Sequence, residues 1–176
     1  MGKTSLCDAL LAGRVLPGVR SRLCRDDAGQ PHHVELAART GPGRVILGRR
    51  AGAGMEPDLP ALEQAAALLA AAAAAPGEWA AVDEVGYLEQ ASPLYQTRLR
   101  ELFDKKRVLA VLRKADTPLL AELRRRPDCL LVDLDELAPP RVGAVVLAAG
   151  KGERFGGNKL LAPLGGVPLL ARTLAA

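Results

Sequence analysis

The chain has 176 residues, enough for one domain and part of a second. Hydrophobic residues make up 49% of it and aromatic residues only 3%, so any core is built mainly from Leu, Val and Ala. The net charge of +4 comes from scattered arginines without interleaved aromatics, which suits phosphorylated small molecules and argues against a nucleic-acid surface. Thr4 to Gly13 reads as a first helix, with Leu6, Ala9 and Leu10 on one face and Gly13 as its stop. Val15 to Arg50 reads as short strands and turns, with strands at His33–Ala37 and Arg44–Gly48, resembling a β-hairpin inserted after the first helix. Ala51 to Pro57 is expected to be loop. Asp58 is placed to cap a helix from Leu59 to Ala75, with Leu62, Leu68 and Leu69 on its apolar side and Pro76-Gly77 ending it. A strand follows at Trp79–Val85. Ser92-Pro93 then opens a helix whose inner face carries Leu94, Tyr95, Leu99, Leu102 and Phe103. Arg107–Leu112 is the next strand, Thr117-Pro118 starts another helix, and Cys129–Leu134 is expected to be a further strand. Ala138-Pro139-Pro140 reads as a stiff linker, and Val142–Leu147 as the strand of a second unit.

Apolar strands alternating with helices of this length predict an α/β fold, a parallel sheet with helices on both faces. The expected organisation is a first domain over 1–137, a linker at 138–141 and the opening strand, loop and helix of a Rossmann-like domain over 142–176.

Two segments carry phosphate chemistry. Gly2-Lys3-Thr4-Ser5 fills the last positions of the phosphate-binding loop G-x-x-x-x-G-K-[ST], at the start of an amphipathic helix. There, backbone N–H groups and the helix N-terminus surround an anion, Lys3 reaches the β- and γ-phosphates, and the Thr4 hydroxyl holds Mg2+. Ala80-Ala81-Val82-Asp83-Glu84 is an apolar strand ending in two carboxylates. Asp83 is expected to complete the magnesium shell. Glu84, on the opposite side of the strand by alternation, is expected to polarise an attacking water. The candidate catalytic residues are thus Glu84 and Lys3, and the candidate metal ligands Thr4 and Asp83. In the second unit, Leu147-Ala148-Ala149-Gly150 runs from a strand into a glycine-rich loop. Arg154 and Lys159 follow it, two cations spaced to neutralise a triphosphate and its pyrophosphate leaving group.

The run Val82-Asp83-Glu84-Val85-Gly86-Tyr87-Leu88-Glu89, with the helix and the strand Val108–Leu112 after it, resembles the P-loop nucleoside-triphosphatases of the thermophilic-bacterial and cancer-related type. The resemblance covers about Gly2 to Glu136 and implies hydrolysis of ATP, GTP or another nucleoside triphosphate. That family has a strand and a G-x-x-G-x run before Gly2, and the strand normally lies beside the Asp-Glu strand. Met1 therefore reads as an internal methionine, and the chain as written is expected to expose a sheet edge there and to bind nucleotide poorly. The run Leu147–Leu161, continued by Leu164-Gly165-Gly166-Val167-Pro168, resembles the opening signature of MobA-like nucleotidyltransferases, closest in flavour to molybdenum cofactor cytidylyltransferase. This implies that Leu147, Ala148, Ala149 and Gly150 meet the base and sugar of CTP or GTP and that Arg154 and Lys159 hold its phosphates, with molybdopterin as acceptor in the longer protein. The leading expectation is Mg2+-dependent NTP hydrolysis in a fragment of a bifunctional protein. The alternatives are nucleotidyl transfer as the main activity, or an inactive remnant that binds a partner.

Cys7, Cys24 and Cys129 have no C-x-x-C spacing and read as reduced thiols. Ala61–Ala75 is too short for a membrane span, and Glu63 and Gln64 interrupt it. No secretory leader is evident, and a cytoplasmic location is expected. His32 and His33 alternate to opposite faces of a strand and make no metal pair, and Arg124-Arg125-Arg126 reads as the solvated end of a helix.

Overall fold

A computed structural model describes residues 3–136, 161–168 and 171–172. The chain divides into two compact units, Met1–Leu134 and Asp135–Ala176. In the first unit, helix α1 spans Lys3–Leu11 and a meander follows: β1 (Gly18–Arg25), β2 (Pro31–Ala38), β3 (Arg44–Ala51) and β4 (Gly54–Pro57). Then come α2 (Leu59–Ala74), β5 (Trp79–Val85), a 3-10 turn at Leu88–Ala91, α3 (Pro93–Lys105), β6 (Arg107–Leu112) and α4 (Pro118–Arg124). The six strands form one sheet in the order β4-β3-β2-β1-β5-β6. The β1–β5 and β5–β6 pairs are parallel and the meander pairs are antiparallel.

The α/β fold expected from the sequence is present, and its parallel part is β1-β5-β6. The meander extends that part as an antiparallel wing, because turns such as Asp26–Gln30, closed by Asp26 Oδ1 accepting from Ala28 N and Gln30 N, are too short for a crossover. The Ala51–Pro57 segment, expected as loop, turns at Gly52 and returns as β4, paired with β3.

Helices cover both faces of the sheet, and the period of two along β5 decides which residues meet them up to Asp83. Ala80 and Val82, and Val85 beyond the register irregularity that follows Asp83, join the larger core with Leu62, Leu69, Tyr95, Leu99 and Leu120 from α2, α3 and α4. Ala81 faces the other way, into a smaller cluster with Cys7, Leu11 and Val111 beneath α1. The inward face of α1 therefore differs from the expected one: Cys7 and Leu11 are buried, whereas Leu6 and Leu10 are exposed. Only the helix's position over β5 and β6 selects that stripe. On α3, Tyr95, Leu99 and Leu102 are buried as expected, but Leu94, in the first turn, is exposed.

Two sheet-level expectations fail. β5 already has a neighbour on each side, β1 and β6, so no edge is open beside the Asp-Glu strand; among the described residues the edges are β4 and β6. Cys129–Leu134 is not a strand, and Leu130 is 89% exposed. An apolar run becomes a strand only when a neighbour takes its backbone hydrogen bonds, and no described strand pairs with this one.

Helix starts follow local chemistry closely. Asp58, Ser92 and Thr117 each accept a hydrogen bond from the backbone N–H three residues on, and each helix has a proline in its first two positions. Ser92 is buried, so nothing from solvent replaces its hydroxyl. Ser92→Ala is expected to lower stability by about 1 kcal/mol, read as a shift of a few degrees in a thermal melt, with no loss of helix content in the folded state. Gly18 is required where β1 meets β5: its φ is +140°, and a Cβ there would overlap the Ala81 carbonyl oxygen.

In the second unit, Pro163–Leu164 and Val167–Pro168 form a small antiparallel hairpin, β7-β8, around Gly165 and Gly166. Arg172 Nε donates to the Leu164 carbonyl at 2.8 Å. The linker at 138–141 and the strand expected at 142–147 lie outside the described residues.

Candidate active site

The first turn of α1 and the C-terminal end of β5 meet at one end of the parallel strands. Parallel β5 and β6 end there together, Val85 opposite Leu112, and Arg20 of β1 lies opposite Asp83, so residues some 80 positions apart in sequence converge. Lys3 Nζ donates to Glu84 Oε1 at 3.0 Å, and the Thr4 hydroxyl donates to Asp83 Oδ1 at 3.2 Å. Alternation along β5 puts Asp83 on the α1 side, with Ala81. Glu84 was expected on the other side, yet its carboxylate also reaches the α1 start. The β5–β6 register is irregular between Asp83 and Val85, and this relieves Glu84 from strict alternation. Ser5 is exposed. Gly2, Leu147, Ala148, Ala149, Gly150, Arg154 and Lys159 lie outside the described residues.

Asp83 is 1% exposed, and its Oδ2 is buried without a hydrogen bond. Burial pushes its carboxyl above the ordinary carboxylate value; the Thr4 hydrogen bond and the nearby Arg20 and Arg39 partly offset this. Arg20 Nε stands 3.5 Å from Asp83 Oδ2 and its Nη2 donates to Asp8 Oδ2 at 3.1 Å. Arg39 has buried Nε and Nη1 groups with no partner among the described residues. Burial likewise raises the Cys7 thiol beneath them.

Glu84 is half-buried. Arg113 Nε lies 3.8 Å from its Oε1, and Ser21 donates to its backbone carbonyl at 3.1 Å. Arg113 also stands over the Tyr87 ring, 5.6 Å from its centre. Glu89 is 3% exposed and its Oε2 accepts from Gly86 N at 3.0 Å, closing the turn that follows β5. Burial lifts the Glu89 carboxyl to about 7.

Arg20, Arg39 and Arg113 were not singled out in the sequence. Arg20 and Arg22 recur at a spacing of two on β1, but nothing local distinguishes a site-facing arginine from a solvated one. Arg124 and Arg126, expected to be solvated, are tied down: Arg124 donates to the carbonyls of Arg113 and Ala115, and Arg126 pairs with Asp104 and Asp128. The His32 and His33 rings, expected to diverge, have their Nδ1 atoms 2.7 Å apart beside a register irregularity in the β1–β2 ladder. No cluster of three or more His, Cys, Asp or Glu fit for a metal occurs among the described residues. No described helix is long and apolar enough to cross a membrane.

A sequence profile described as NTPase matches residues 51–138, half of the chain. The chain belongs to this NTPase family. The matched span includes the Asp83-Glu84 pair and the elements through α4, so nucleotide binding is a family property of the first unit. The crystal structure of THEP1 from the hyperthermophile Aquifex aeolicus superposes on the NTPase fold with a TM-score of 0.60 at 20% identity, covering 76% of this chain and 83% of that one. At that identity the likeness is one of fold. A second profile, the MobA-like NTP transferase domain, matches residues 144–176. In curated relatives, 35 residues are 54% identical to the molybdenum cofactor guanylyltransferase of Rhodobacter capsulatus, and 40 residues are 58% identical to the 2-C-methyl-D-erythritol 4-phosphate cytidylyltransferase of Frankia casuarinae. These stretches are 20% and 22% of this chain and 18% and 15% of the two relatives, so the chain spans under a fifth of either relative.

Proposed function

We propose that the first unit is the Mg2+-dependent, NTP-hydrolysing half of a bifunctional protein found in the cytoplasm, and that it acts on ATP, GTP or a related triphosphate. The observation that carries this reading is the double pairing of α1 with β5, Lys3 with Glu84 and Thr4 with Asp83. A lysine, a hydroxyl and two carboxylates at a helix N-terminus are the groups that phosphoryl transfer from a nucleotide needs.

In this reading Lys3, held between its carboxylate partner and solvent, turns to the β- and γ-phosphates as NTP arrives. The two hard oxygen donors, Thr4 Oγ1 and Asp83 Oδ2, fit a small divalent cation, since the buried Oδ2 has no hydrogen bond of its own. Mg2+ would be held there by Thr4 and Asp83 and would supply charge neutralisation on the phosphates. Glu84, released from Lys3, orients a water in line with the γ-phosphate and takes its proton. Arg113, 3.8 Å from Glu84 Oε1, keeps that carboxylate aimed. Phosphate release from ATP, GTP and CTP, measured with Mg2+ and again after chelation, tests the reading: release is expected to require the metal. Thr4→Ala is expected to raise the Mg2+ concentration for half-maximal rate by about tenfold, as loss of one of two protein donors implies. Release that ignores the chelator would count against the magnesium roles.

For the second unit we propose nucleotidyl transfer from CTP or GTP to molybdopterin in the longer protein, with pyrophosphate released. The transferase-profile match over residues 144–176 supports it. Pyrophosphate release that depends on both CTP or GTP and molybdopterin is the assay that separates this activity from hydrolysis.

A further inference from the structure

A cleft adjoins the proposed hydrolytic site and shares only Glu84 and Arg113 with it. A cleft of about 360 Å3 opens between the meander and the turn that follows β5. That volume lies within the usual range of roughly 300–1,000 Å3 for small-molecule sites. Lys3, Thr4 and Asp83 do not line it; of the proposed catalytic groups only Glu84 does.

The lining has two characters. Leu23, Val34, Met55 and Leu88 provide an apolar part, and Tyr87, stacked with Arg113, adds a flat polarisable wall. Arg22, Arg50 and Arg113 bring three cations against the carboxyls of Glu84 and Glu89. Glu89 accepts the Gly86 N–H and is 3% exposed, so its charge is poorly presented to the cleft. Glu84 is shared with Lys3 and Arg113. Arg22 is exposed and has no side-chain partner among the described residues, and Arg50 makes only a long bond of 3.4 Å to the Gly52 carbonyl. Two guanidinium groups are therefore available to a ligand, next to an apolar floor and a planar wall.

We propose that this cleft is a binding site for a small planar anion, an aromatic or heteroaromatic ring bearing a phosphate or carboxylate group, of nucleotide size or less. The ring lies on the Tyr87–Arg113 wall above the apolar floor. The anionic group pairs with Arg22 and Arg50 on the meander side. The site is separate from the NTP site, and Glu84 is the boundary between them.

4-Nitrophenyl phosphate, which joins a planar ring to a phosphate, is a direct probe, and its binding to the chain can be followed by titration calorimetry without any NTP. Saturable binding is expected. Inorganic phosphate and 4-nitrophenol separately are expected to bind at least tenfold more weakly than the joined molecule. Arg22→Ala and Arg50→Ala, both at exposed positions, are each expected to weaken binding about tenfold while leaving the thermal melt in place. Thr4→Ala, which weakens the metal site, is expected to leave probe binding within twofold. Absence of saturable binding, or binding indifferent to both arginine variants, overturns the proposal. Probe binding lost with Thr4→Ala would place the probe in the NTP site and also overturn it. Because no NTP is turned over, failure here leaves the hydrolytic reading standing, and failure of hydrolysis leaves this one.

Discussion

Glu84→Gln is expected to lower NTP turnover by on the order of 10²–10⁴-fold while leaving nucleotide affinity nearly unchanged. A glutamine keeps the shape of the side chain, and its amide oxygen still accepts from Lys3 Nζ, now 3.0 Å from Glu84 Oε1. The start of α1 therefore stays where phosphate is bound. What is lost is a group able to take the proton of the attacking water. The loss should appear in kcat, with KM little moved, because water activation operates only in the transition state. Lys3→Ala should behave in the opposite sense, raising KM first, since it removes a charge that meets the ground-state phosphates. Turnover unchanged in Glu84→Gln would remove Glu84 from the mechanism and leave Asp83 as the only carboxylate with a role.

The second large effect concerns stability. The Glu89 carboxyl is buried to 3% exposure, and its ionisation is raised from the ordinary 4.5 to about 7. Below about pH 4.5 this residue is protonated in folded and unfolded chains alike, so it adds no pH dependence there. Between 4.5 and about 7 the unfolded chain loses the proton first, so the folded state is progressively disfavoured as pH rises. Above about 7 the carboxyl is ionised in both states and the penalty is constant, about 3 kcal/mol from a displacement of that size. Glu89→Gln carries no charge to bury, and its amide oxygen can still accept the Gly86 N–H. The variant is expected to match the wild type in urea denaturation near pH 4.5 and to exceed it by about 3 kcal/mol at pH 8. Parallel stability profiles for the two proteins across this range would show that Glu89 ionises freely in the folded chain.

Much of the candidate site was legible in the residues because its parts are local patterns. Gly-Lys-Thr at a helix start and Asp-Glu at the end of an apolar strand are each short, and each carries its chemistry in side-chain type. Asp58, Ser92 and Thr117 were equally readable as helix starts, because a cap involves only residues three apart. The sequence by itself thus determined the α/β class, the positions of β5, α3 and β6, and the Lys-Thr and Asp-Glu segments that the fold brings together.

The tertiary structure decided what depends on neighbours. Leu6 and Leu10 form as good an apolar stripe as Cys7 and Leu11, and only the seating of α1 over Ala81 and Val111 selects the second pair. Cys129–Leu134 has the composition of a strand, yet a strand exists only where another backbone satisfies it. Glu84 faces Lys3 because the β5–β6 register breaks at the strand end, an event that no alternation rule contains. Arg20, Arg39 and Arg113 enter the site from the meander and from the end of β6, far along the chain from the motifs. Side-chain chemistry and short periodicities are encoded locally; burial, register and electrostatic company arise from contacts between segments, and these are fixed only when the sheet closes around its core.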